Sequence, residues 1–122
     1  MGTNYYMRVT GGHELPDGMH IDDECNMAHV GKRSHGWRFM FQGHESVRSW
    51  RDWCTVLENV PCVIHDEYGC EMDVMTFVTT VVLPSMEHGA YNETADARFL
   101  GTAWDPGHVD DDGFLISDGR WW

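Results

Sequence analysis

The sequence predicts a small α+β domain, a mostly antiparallel sheet packed by one or two helices. Three observations lead there. Short β-favouring runs recur between Gly, Pro and Asp clusters, and one segment, 46–59, carries apolar residues at helical steps. The length of 122 residues suits a single domain around one core, so residues 1–122 are taken as one unit.

Taken in order, residues 4–9 (Asn-Tyr-Tyr-Met-Arg-Val) are β-favouring and predict a first strand. Thr10 to Glu24 contains Gly11-Gly12, Pro16-Asp17-Gly18 and an acidic run, the composition of a long surface loop. Met27 to Val30 predicts a short strand leading into a turn bracketed by Gly31 and Gly36. After it, Trp37, Phe39 and Phe41 alternate with Arg38, Met40 and Gln42, so the two segments predict a hairpin whose second strand buries its aromatics.

Ser46 to Asn59 is the clearest helix. Val47, Trp50, Trp53, Cys54 and Leu57 fall on one face, Ser46 and Ser49 are both candidate caps, and Val60-Pro61 ends it. Cys62 to His65 predicts a strand and Asp66 to Gly69 a turn. From Met72 to Leu83, Val74, Met75, Val78, Val81 and Val82 make a helical face with Asp73 as cap, while the β-branched run 77–82 would equally suit a strand. Periodicity and length favour helix, with Pro84 as its stop. Residues 85–98 read as loop, 99–104 as a short strand, 105–113 as an acidic turn region and 114–116 as a last strand. The terminal Trp121 and Trp122 either pack on the core or form a contact patch.

Twenty acids against eight bases give a formal net charge of −12, which opposes direct binding to nucleic acid or to an anionic membrane. No run of apolar residues is long enough to span a bilayer, and the N-terminus lacks the layout of a signal peptide, so a cytoplasmic protein is expected. In that compartment the four cysteines are expected to be reduced. The positive charge is concentrated. Lys32, Arg33, Arg38, Arg48 and Arg51 lie between His29 and Arg51 with a single acid, Glu45.

Several motifs can be weighed on their chemistry. Gly31-Lys32 is not a phosphate loop, because Asn26 stands where the first Gly is needed and Arg33 where Ser or Thr must reach magnesium. Lys32, Arg33 and His35 remain candidates for an anion or partner site at the turn. His20, Cys25 and His29 carry imidazole and thiolate ligands in a loose His-x4-Cys-x3-His arrangement that no standard finger has, and are the candidate zinc set. His65-Asp66-Glu67 puts an imidazole beside carboxylates, a pattern that solvated turns share with acid–base sites. Asp110-Asp111-Asp112-Gly113 fails the calcium-loop pattern, which wants Asp at His108 and Glu at Gly119. No nucleophile signature is present, and no catalytic residue is assigned.

His29-Val30-Gly31-Lys32-Arg33-Ser34-x-Gly36-Trp37-x-Phe39, followed by Asp66-Glu67-Tyr68-Gly69, resembles a family of small proteins from tailed phages that infect actinobacteria. Tyr5-Tyr6-Met7-Arg8 and the helix bearing Trp50 and Trp53 keep the family's order. The similarity covers roughly 5–83, leaving 84–122 as a C-terminal extension. Relatives carry a Cys-x-x-Cys-Gly element before the first motif, which implies a zinc-knuckle-like site. This chain lacks the element, and only His29 carries over as a motif ligand. The resemblance implies a phage accessory protein in the cytoplasm of a bacterial host and supplies no activity. The functional expectation is a non-enzymatic module that binds a host or phage protein through Lys32, Arg33, His35, Trp121 and Trp122, with no resident cofactor. A zinc-supported module and an acidic mimic of nucleic acid are the alternatives.

Overall fold

The structure, a computed structural model, describes residues 2–22, 27–34, 38–88 and 107–117. The elements are β1 (Gly2–Val9), β2 (Ile21–Asp22), β3 (Met27–Ser34), β4 (Met40–Gln42), α1 (Trp50–Asn59), β5 (Cys62–Asp66), β6 (Glu71–Met72), α2 (Val74–Phe77), a π-helical segment Val78–Val82, α3 (Leu83–His88), β7 (Gly107–Val109) and β8 (Leu115–Ser117). The class is α+β. One sheet runs β6-β5-β1-β3-β4-β8-β7, with β2 added to β3, and its only parallel pair among the described residues is β4 with β8.

Strand alternation explains the centre of the sheet. Met7 on β1 lies opposite Ala28 on β3 and Ile64 on β5, and all three are fully buried. The register of β1 against β3 slips between Tyr5 and Tyr6, so that Tyr5 faces Gly31 while Tyr6 faces His29. Val30 is the extra residue of this bulge.

Gly31 therefore belongs to the middle of a strand rather than to a turn. β3 continues through Lys32 and Arg33, which pair with Asn4 and Thr3 of β1. The glycine is needed for a packing reason, since a β-carbon there would collide with the Met40 carbonyl oxygen and the Phe39 ring. β3 pairs antiparallel with β4 as the hairpin expectation has it, with β3 running on to Ser34 and β4 beginning only at Met40. Phe39 and Phe41 are core, as their alternation implies, with centroids 4.7 Å apart. Trp37 lies outside the described residues. The predicted loop 10–24 also contains β2, which pairs with the start of β3.

Helix α1 begins at Trp50, later than Ser46. Ser49 caps it by accepting the Asp52 N–H at 3.1 Å. Its buried face is Trp53, Val56 and Leu57, so Val56 occupies the place expected of Cys54, which is only half-buried. Trp50 stacks on Phe114 at 4.8 Å and Trp53 donates its indole N–H to the Gln42 carbonyl.

Residues 74–88 are helical and cross Pro84, which was expected to stop them. The reason is the π-turn. Leu83 donates its N–H to the Val78 carbonyl, five residues back, and the wider turn makes room for a proline ring that would strike the Thr80 carbonyl in a regular α-helix. The same turn moves the apolar phase. Phe77 and Val82, five apart, are both fully buried, whereas Met75 is 70 % exposed despite its place on the expected inner face. Phe77 meets Tyr5 at 5.3 Å and Phe39 at 5.5 Å. Ser85, fully buried, donates to the Val82 carbonyl and accepts the Phe39 N–H at 2.8 Å, tying this helix to the entry of β4.

Candidate functional site

The described part of the segment expected to hold a site lies in strand β3. Lys32 and Arg33 are half-buried members of β3. His29 is 1 % exposed, and its Nδ1 and Nε2 stand 3.2 Å from Gln42 Oε1 and 3.0 Å from Asn4 Oδ1. The Gln42 amide is oriented by donating Nε2–H to the Gly43 and Ser117 carbonyls, so the His29 Nδ1 must be the donor of its bond. His35, Trp121, Trp122 and Cys25 lie outside the described residues.

His20 and His29 are brought together through a histidine that the sequence reading passed over. The His44 ring accepts the His20 backbone N–H at Nδ1 (2.9 Å), and its Nε2 lies 2.9 Å from the His29 carbonyl. A backbone N–H can only donate and a carbonyl can only accept, which sets this ring as the neutral Nε2–H tautomer. It also packs edge-on against Trp53. Two proposed zinc ligands thus meet through their backbones, while both ring nitrogens of His29 lie against side-chain amides, those of Gln42 and Asn4. Among the described residues no three His, Cys, Asp or Glu side chains converge as a metal site would require.

The two other acidic motifs are turns of one design. In Asp66-Glu67-Tyr68-Gly69-Cys70, Asp66 Oδ1 accepts the N–H groups of Tyr68 and Cys70, both at 2.9 Å. In Asp110-Asp111-Asp112-Gly113-Phe114, Asp110 Oδ1 accepts those of Asp112 and Phe114, also at 2.9 Å. Each fourth position is a glycine at positive φ, 89° at Gly69 and 86° at Gly113. On the sheet beside the first turn, the Arg8 guanidinium bridges His65 and Glu71, each at 3.2 Å. His65 Nε2 stands 3.2 Å from both Arg8 Nε and Glu71 Oε2, so the three side chains form one surface ion-pair cluster. An open groove of about 710 Å³ is lined by Met7, Val9, Leu15 and Met19 together with Glu14 and Asp17. Arg8 and His13 complete its polar lining, with His13 next to Glu14 in the chain.

What the sequence reading missed is the outer face of the second helix. Met75, Thr76, Thr79, Thr80 and Leu83 are all exposed there. Thr79 Oγ1 donates to the Met75 carbonyl at 2.8 Å and Thr80 Oγ1 to the Thr76 carbonyl at 2.6 Å, so these hydroxyl protons are held by the helix itself. The face that remains is uncharged, with Met75 and Leu83 as its apolar members, and the π-turn lies at its middle, where such turns often mark functional surface. A signal was present in the sequence. Val74 to Met86 contains no charged residue, in a chain that is 23 % charged. At its start Asp73 accepts the Thr76 N–H at 2.7 Å, a bond that holds its carboxyl below the ordinary range.

The class defined by these features is a small α+β domain of acidic composition with an uncharged helical face among its described residues. No protein-family model, curated protein or solved structure matches the chain. No helix among the described residues is long and apolar enough to cross a membrane.

Proposed function

We propose that this protein is a non-enzymatic binding module whose docking surface is the uncharged face Met75, Thr76, Thr79, Thr80 and Leu83. The observation that carries the reading is the exposed face of a helix that has no charge from Val74 to Met86, on a chain of net charge −12. A solvated helix face ordinarily carries charged residues, and contiguous apolar surface on a soluble domain marks contact sites. Burying a side chain such as Met75 is worth about 1.5–3 kcal/mol, so a few anchors of this kind supply useful affinity. The phage resemblance suggests that the partner is a host or phage protein met in the host cytoplasm.

Co-purification from bacterial host lysate tests this. The wild-type chain enriches a protein that is lost with Met75→Glu and Thr79→Glu, both exposed positions whose replacement leaves the core intact. Equal recovery by wild type and variants would end the proposal.

A further inference from the structure

We infer that the partner of this face presents an apolar centre flanked by lysine or arginine, and is not a second copy of this chain. The inference rests on the docking reading above and adds the chemistry of the occupant. Its basis is a segregation of charge along the chain. From Asp52 to Ala97 there is no Lys or Arg, while Asp52, Glu58, Asp66, Glu67, Glu71, Asp73, Glu87, Glu93 and Asp96 fall in that span. It includes α1 from its third residue onward, β5, β6 and the whole second helix, while Arg51 in the first turn of α1 lies just outside it.

The acids nearest the face are on the chain that leads into it. Asp73 is its exposed N-cap, and Asp66 and Glu67 form the preceding turn. Arg8, from β1, pairs with Glu71 at 3.2 Å and so offsets that one carboxylate. Exposed Asp73 caps the start of the face and exposed Glu67 lies in the turn before it, so the chain entering the uncharged face is acidic. A partner with basic flanks gains from this field on approach and in register, whereas a second copy would bring the same carboxylates of a −12 chain against each other.

Three helical peptides test it, sharing one Leu/Ala stripe and flanked by Lys, Gln or Glu. Binding to the intact protein is followed by fluorescence anisotropy at low and high salt, with sedimentation of the protein alone. The Lys-flanked peptide is expected to bind about tenfold more tightly than the Gln-flanked one at low salt, with the gap closing as salt screens the charges. Met75→Glu abolishes binding of all three. The double variant Asp66→Asn with Glu67→Gln keeps the turn's acceptor oxygens and narrows the Lys preference. Equal binding of the three peptides, still sensitive to Met75→Glu, would overturn the charge inference and leave the docking face standing. Absence of saturable binding by any peptide, or binding indifferent to Met75→Glu, counts against both. A dimer of the protein that Met75→Glu dissolves would replace the basic partner with a second copy.

Discussion

The turns at Asp66 and Asp110 share a local sequence, Asp-x-x-Gly, and the same pair of side-chain bonds, yet they serve different ends. Asp66 uses only Oδ1. The turn it closes leads into β6 and the uncharged helix, and Glu67 beside it accepts the Asn4 N–H. Asp110 uses both oxygens. Its Oδ2 accepts the N–H of Trp50, the first residue of α1, at 2.8 Å across sixty positions of sequence. Asp112 adds an ion pair to Arg51 at 3.1 Å. One hairpin code has therefore been recruited once as a plain turn and once as a clamp on the first turn of a helix, where orphan N–H groups and the helix dipole favour a carboxylate.

Replacing each aspartate by asparagine should separate the two uses most widely. Asparagine keeps one acceptor oxygen and turns the other into an N–H₂ donor. Asp66→Asn keeps the single oxygen it needs and should change stability by less than ~0.5 kcal/mol, whereas Asp110→Asn sets a donor against a donor and should cost about 2 kcal/mol. Urea midpoints of the two variants measure the difference, and equal midpoints would erase the distinction drawn above.

The glycines come next in size. At positive φ an added β-carbon costs about 1 kcal/mol, so Gly69→Ala and Gly113→Ala should both destabilise. A β-carbon on Gly113 would also approach the Arg38 Nη1 at 3.3 Å, while one on Gly69 meets nothing, which makes Gly113→Ala the costlier of the two. Thermal midpoints decide the order.

The smallest effect is electrostatic and belongs to the Asp66 turn alone. Burial, followed by the nearby Asp66 carboxylate, raises the ionisation of Tyr5 above its ordinary 10.0, with Arg33 acting in the opposite sense. A raised value in the folded state means the stabilisation is complete below the unfolded value and fades as pH climbs through the folded one. Tyr5→Phe should therefore lose less stability in alkali than wild type. Asp66→Asn should move Tyr5 part of the way back, because burial remains. Absorbance titration of the phenolate reads both, and Asp110→Asn should leave this titration unmoved.

Some of this protein was legible in its residues taken locally. Alternation at Phe39 and Phe41, helical steps at Trp50, Trp53 and Leu57, Ser49 as a cap, and both Asp-x-x-Gly turns depend on spacing and turn chemistry within a few residues, and the α+β class follows from their sum. The segment 73–83 was open between helix and strand because its β-branched residues suit both. The choice was made by Phe77 and Val82 packing beneath the sheet, with a π-turn that no 3.6-residue template contains. His44 was invisible for a related reason, since its bonds reach His20 and His29, 24 and 15 residues away. Gly31 looked like a turn residue until Phe39 and Met40 were seen to occupy the space of its missing side chain.

The candidate site divides along the same line. That Val74 to Met86 carries no charge was fixed by composition. That Met75, Thr79 and Leu83 face outward was decided only when the π-turn and the buried Ser85 set the rotation of the helix. Residue types and short-range turns follow from local sterics and hydrogen bonding, which the sequence states directly. Exposure and phase follow from contacts between distant segments, which only the packed chain can supply.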